Sequence, residues 1–231
     1  MQTAHMLIAL MGGLIPALFW LWFWLREDAP HPEPKALIAA AFLSGMAIVA
    51  IVLPLQRYAL DRFSGSELIF VWVTIEEILK YSAALVVVLW NKAVDEPIDA
   101  IIYMIAVALG FSAFENALFI FTPLHNGQIT ESILTENFRF LGATLLHVLA
   151  SGTVGAAMAL SYYMKRELRV LIATAGLIIA ITLHALFNSF IMDSSSGETI
   201  LTVFLFVWMG IIALLLVFEK VKQLERQHHT S

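Results

Sequence analysis

The chain is expected to fold as an all-α bundle of about seven membrane-spanning helices. Three observations lead there. Of 231 residues, 60% are hydrophobic and 13% charged, with a mean hydropathy of +0.85, too apolar for a water-soluble domain. The apolar residues fall into successive runs, each near the ~20 residues that cross a hydrocarbon layer. The linkers between runs are short and broken by Pro30, Pro32, Pro34, Pro97 and Pro123. No cysteine is present, which excludes a disulfide scaffold, a thiolate metal site and a cysteine nucleophile. The net charge of -5 comes without a basic stripe, so nucleic acid is not an expected partner.

The runs cover about 4–25, 36–55, 67–90, 98–122, 138–163, 170–193 and 200–218. The first has no positive stretch before it and no small-residue cleavage site after it, so it reads as a retained anchor. Its aromatic stretch Phe19 to Trp24 suits an interfacial belt. After the second run, segment 56–66 carries Arg57, Asp61 and Arg62, the charges of a short interfacial helix. The third run holds Glu76, Glu77 and Lys80, and the fourth Glu115. A longer polar loop is expected at about 123–137. The fifth run holds His147, with Ser151, Gly155 and Ala159 as a small-residue stripe that lets another backbone approach; Ser151 reads as packing. The sixth holds His184 and Asn188 one turn apart, and residues 219–231 form a tail after the seventh. With no internal repeat, residues 1–231 read as one integral membrane domain with a catalytic core at about 64–192.

Lys and Arg positions orient the bundle. With the N-terminus outside, nine fall on the cytoplasmic side (Arg26, Lys35, Lys92, Lys165, Arg166, Arg169, Lys220, Lys222, Arg226), against Arg57, Arg62 and Arg139 outside. Lys80 lies within the membrane. In that frame Glu76, Glu115, His147 and His184 all sit about 10 to 14 Å below the outer edge, at ~1.5 Å per residue. Four antiparallel helices thus deliver polar groups to one level, which unrelated core residues have no reason to do.

Charge at that depth costs about 2.5–3.5 kcal/mol per residue even on lenient scales, so it marks a site. Lys80 is i+4 from Glu76 and i+3 from Glu77, close enough to neutralise one of them. A buried glutamate of this pair can take a proton from water, together with Glu115 or His147, while His184 and Asn188 donate to an oxyanion. The same residues allow a zinc version with His147, His184 and Glu115 as ligands, and a metal-free glutamate mechanism stands beside it. Bland readings compete: single buried His or Asn residues pair helices, and Glu-Glu-x-x-Lys can be a structural ion pair.

The order Glu-Glu-x-x-Lys (76–80), Phe-x-x-x-Glu-Asn (111–116), a mid-helix His147 and His-x-x-x-Asn (184–188) resembles the PrsW family of bacterial intramembrane proteases, relatives of the CAAX prenyl endopeptidases and abortive-infection-type membrane proteins. The resemblance covers about residues 64–192. Asp99, Tyr103 and Gly110 fit the pattern, as does Arg139, and Lys80, Asn116 and Arg139 are its supporting residues. It implies a protease in the bacterial cytoplasmic membrane, N-terminus outside and C-terminus cytoplasmic, that cuts a single-span protein such as an anti-sigma factor on the extracytoplasmic side. It leaves the metal open, since PrsW proteins are commonly classed as metalloproteases and the CAAX-type relatives look metal-independent. A proton-coupled transporter and a non-catalytic membrane scaffold are the other classes compatible with buried Glu, His and Lys.

Overall fold

The computed structural model describes residues 2–27, 32–130, 142–193 and 197–229, and they are helical almost throughout. Among these residues seven long helices follow in order: α1 (Gln2–Glu27), α2 (Lys35–Leu60), α3 (Gly65–Ala84), α4 (Asp99–His125), α5 (Thr144–Leu160), α6 (Arg166–Asp193) and α7 (Gly197–His229). A π-helical turn, Leu85–Leu89, continues α3. No strand occurs among the described residues.

Helix α4 is the centre. From Asp99 to Ala113 every residue is buried, because this stretch is apolar all round and has neighbours on each side. α1, α2 and α5 pack against α4, and α5 in turn carries α6 and α7. Glycines set the closeness of these contacts. A Cβ at Gly45 would lie 2.0 Å from the Val107 carbonyl oxygen, and one at Gly110 1.8 Å from that of Phe42, so α2 and α4 touch backbone to backbone. Gly155 does the same for α5, where a Cβ would fall 2.6 Å from Ile101 Cα.

Among the described residues five helices are long and apolar enough to cross a membrane: α1, α2, α4, and the parts Arg166–Ile191 of α6 and Leu201–His228 of α7. The bundle has the expected seven helices among the described residues, and the two that fall short of this length-and-hydropathy measure do so for a physical reason. α3 carries Glu67, Glu76, Glu77 and Lys80, which lower its apolar character, and α5 as described is a shorter apolar helix.

Segment 56–66 forms no separate interfacial helix. α2 continues past Pro54 to Leu60, and a turn leads through Gly65, at φ +55° where a side chain would be strained, directly into α3. The loop expected at 123–137 begins later, since α4 runs through Pro123 to His125. Residues 131–141, which hold the rest of that loop and Arg139 at the start of the fifth run, lie outside the described residues.

Candidate active site

α3, α4, α5 and α6 bring six predicted residues together: Glu76, Glu77, Lys80, Glu115, His147 and His184. Glu76, Glu77, Lys80, His147 and His184 are all buried. The helical hairpin α2–α3 and the close α4–α5 contact hold their backbones, so these side chains meet without reaching across loops.

Glu77 is saturated. Its Oε1 accepts from Lys80 Nζ at 2.6 Å and faces His184 Nδ1 at 2.7 Å, and its Oε2 accepts from Ser151 Oγ at 3.2 Å. Ser151 is therefore a hydrogen-bonding partner of Glu77, beyond the packing role its small size suggests. Glu76 has a different environment one residue away. Its Oε1 accepts from Gln56 Nε2 at 2.8 Å, while its Oε2 is buried without a hydrogen-bond partner, 3.9 Å from Lys80 Nζ and 3.8 Å from His184 Nε2. The second carboxylate oxygen of Glu76 is thus the open valence of the cluster.

His147 has a partner at each nitrogen: Lys80 Nζ lies 2.9 Å from Nδ1, and Glu115 Oε2 lies 3.1 Å from Nε2. Its ring stands edge to face with His184 (centroids 5.0 Å apart) and with Phe111 (5.4 Å). Phe111 also lies under the Lys80 ammonium, 4.5 Å from nitrogen to ring centre, a favourable placement for a buried cation.

The cluster forms one wall of a cavity of about 870 Å³. Glu76, Glu115, His147, His184 and Asn188 supply its polar wall, and residues such as Leu53, Phe119 and Phe204 its apolar remainder. Asn116 does not line it. Its Nδ2 donates to Thr144 Oγ1 (2.9 Å) and Ser112 Oγ (3.2 Å), tying α4 to α5 one residue from Glu115. Asp99, Tyr103 and Gly110 are elsewhere. Asp99 Oδ2 accepts from the backbone of Asp95 and Glu96, Tyr103 donates to Glu33, and Gly110 packs against α2.

Gln56 has no counterpart in the sequence reading. Next to Arg57 at the end of an apolar run, it looks like the start of a loop. The signal lay in hairpin symmetry: with the turn near Ser64, Gln56 comes level with Trp72, whose Nε1 donates to the Gln56 carbonyl at 3.0 Å.

For a metal, Glu76, Glu77, His147 and His184 offer donor atoms all within 4.8 Å of one another. Two imidazoles with carboxylates are a zinc-type set by composition. This set differs from the expected His147, His184 and Glu115 by including both adjacent glutamates. It does not fit an ion as arranged, because Lys80 Nζ already lies 2.6 Å from Glu77 and 2.9 Å from His147.

A sequence model described as PrsW family intramembrane metalloprotease matches residues 33–216. The chain is 29% identical over 213 residues to a protein named Protease PrsW from Oceanobacillus iheyensis, covering 90% of this chain and 94% of that one. It is 23% identical over 197 residues to Protease PrsW of Bacillus subtilis, covering 83% and 86%. Over 122 residues, 49% of this chain and 51% of the relative, it is 32% identical to Protease PrsW of Clostridioides difficile. No solved structure matches the chain. The family match takes in all the clustered residues and most of the bundle around them, and on that basis the chain belongs to the PrsW family: it is an integral membrane protein and an intramembrane protease acting on protein substrates.

Proposed function

We propose that this protease cuts single-span membrane proteins near the extracytoplasmic face, with Glu76 as the base and a water held between Glu76 Oε2 and His184 Nε2. One observation carries the reading: the unpartnered Glu76 Oε2 faces His184 Nε2 across 3.8 Å beside the cavity. A water bonded to both atoms would sit to one side of the line joining them, toward the cavity, and a small side-chain shift must uncover Oε2 to receive it.

The chemistry follows from hydrogen-bond supply. Glu77, acceptor to Lys80 and Ser151, also accepts a hydrogen bond from His184 Nδ1–H, which leaves Nε2 as an acceptor toward the cavity. In this form His184 orients the water, and the oxyanion role expected for it passes to Asn188 alone. Glu76 takes one proton from the water as its oxygen attacks the carbonyl carbon, Asn188 donates to the oxyanion, and Glu76 returns the proton to the departing amine nitrogen. Gln56 keeps Glu76 Oε1 fixed so that Oε2 points at the water. Zinc enters none of these steps, since Lys80 stands among its would-be ligands. We place the whole as one membrane domain with its core at about 64–192.

Orientation rests on the bias of nine cationic residues against three, which puts the N-terminus outside and the C-terminus in the cytoplasm. In that frame Thr122 and Pro123, at the cavity-lining end of α4, lie toward the outside, where water is at hand. An anti-sigma factor is the substrate class that the family resemblance brings. Coexpression with candidate single-span proteins tests the reading. A released external domain that disappears with Glu76→Gln is expected, and cleavage that persists in a well-inserted Glu76→Gln protein refutes it. Reporter fusions after Glu96 and Glu219 should read cytoplasmic and one near Asn126 external; the reverse pattern refutes the orientation.

A further inference from the structure

Lys80 has a contact that a structural partner of Glu77 does not need. Its side chain is fully buried, and its Nζ sits 2.6 Å from Glu77 Oε1, 2.9 Å from His147 Nδ1 and 3.9 Å from Glu76 Oε2. An ammonium has three hydrogens and no lone pair, so at His147 it is the donor and Nδ1 the acceptor. A neutral imidazole that accepts at Nδ1 carries its hydrogen on Nε2, and Nε2 lies 3.1 Å from the Glu115 carboxylate. Lys80, His147 and Glu115 therefore form a one-directional chain of donors that links α3, α5 and α4.

We infer that Lys80 is the resident cation of this site: its ammonium is bonded to Glu77 and His147, two of the four groups a divalent ion would draw on, and it locks His147 in the Nε2–H form as a donor to Glu115. His147 is then a positioning residue for Glu115 and has no lone pair left for a metal. This deepens, and rests on, the metal-free reading of the cleavage step, and it departs from the family's description as metalloproteases. The disagreement has a physical basis. A divalent ion bound to Glu77 and His147 would have to displace an ammonium already bonded to both, in a fully buried position.

The test reads the full-length protein in nanodiscs without relying on its activity. In the wild type labelled with ¹⁵N-histidine, the His147 resonances, assigned by their loss in His147→Gln, should show a protonated Nε2 and an unprotonated Nδ1. Elemental analysis after dialysis should find far less than one zinc per chain, and added Co²⁺ should give no tetrahedral absorption band. Lys80→Met removes the charge at similar volume while Glu77 keeps His184 and Ser151 as partners. It should bind Co²⁺ at least about tenfold more tightly than wild type, as when a like charge leaves a cation site. An Nδ1–H tautomer in the wild type, one tightly held zinc per chain, or a Lys80→Met protein with no gain in Co²⁺ binding would each overturn the inference. Should Lys80→Met fail to fold, the wild-type tautomer and zinc content still decide. Failure here is separable from failure of the protease reading, which is judged by fragments lost with Glu76→Gln.

Discussion

Helices α4 and α5 meet at two polar contacts about a turn apart, and the two are built differently. At Ser112, Asn116 and Thr144 the groups are neutral, buried and bonded to one another within 3.2 Å. At Glu115 and His147 the groups join a charged cluster reaching α3 and α6, and that cluster faces a cavity with the Glu76 Oε2 atom unpartnered. Closed and neutral is what holding two helices together requires. An unmet hydrogen-bond capacity beside open volume has no structural benefit, and its cost is understandable only where a reactant completes it. The contrast separates what glues the bundle from what works in it, even where residues are sequence neighbours, as Glu115 and Asn116 are.

The most damaging change within the cluster should be loss of Glu77. Glu77→Ala strips the Lys80 ammonium of its 2.6 Å partner while it remains fully buried, and removing one member of such a pair costs about 3–5 kcal/mol. Resistance of the purified protein to denaturant should fall accordingly, with cleavage lost alongside. Normal stability in Glu77→Ala would mean that the ion pair is not the anchor of the cluster.

Glu76→Gln should give the opposite balance. The Oε2 position makes no hydrogen bond, so stability should change little, whereas loss of the base should slow cleavage by about 10²–10⁴-fold. The adjacent glutamates then sort by readout: Glu77 by denaturation, Glu76 by rate. Gln56→Ala comes next. It frees Glu76 Oε1 from its one side-chain donor and should slow cleavage by about tenfold, the size of one hydrogen bond, with substrate affinity unchanged. A rate equal to wild type would show that Glu76 needs no outside help to aim.

How much of this was legible in the sequence depends on the kind of signal each residue carries. The all-helical membrane class was legible because bilayer thickness fixes the length of an apolar run. Glu76, Glu77, Lys80, Glu115, His147 and His184 could be read because charge amid apolar residues is costly and therefore conspicuous. Gln56 and Ser151 were not, because uncharged polar residues cost little, and their partners are set by helix pairing. The difference between Glu76 and Glu77 was likewise hidden: it arises from which side of α3 faces Gln56 and which faces Ser151 and His184. The direction of the His147 hydrogen bonds depends on the Lys80 position in three dimensions.

The smallest expected effect belongs to the neutral contact and bears most directly on the comparison. Thr144→Val keeps the volume but removes the hydroxyl that accepts from both Asn116 Nδ2 and Ser112 Oγ. Asn116 retains Ser112 Oγ at 3.2 Å, so its amide is not stranded. An interhelical hydrogen bond in a membrane bundle is worth about 0.6 kcal/mol on average and ~1.7 at most, so stability should fall within that range. The tight backbone contacts of α4 with α5 at Gly155 do not involve Thr144 and should keep the two helices in register. Glu115 and His147 should then stay in place, and the cleavage rate per folded molecule should match wild type within about twofold. A loss of rate well beyond the loss of folded protein would show that the neutral contact helps to aim Glu115 and His147, and the division between the two polar contacts would no longer hold.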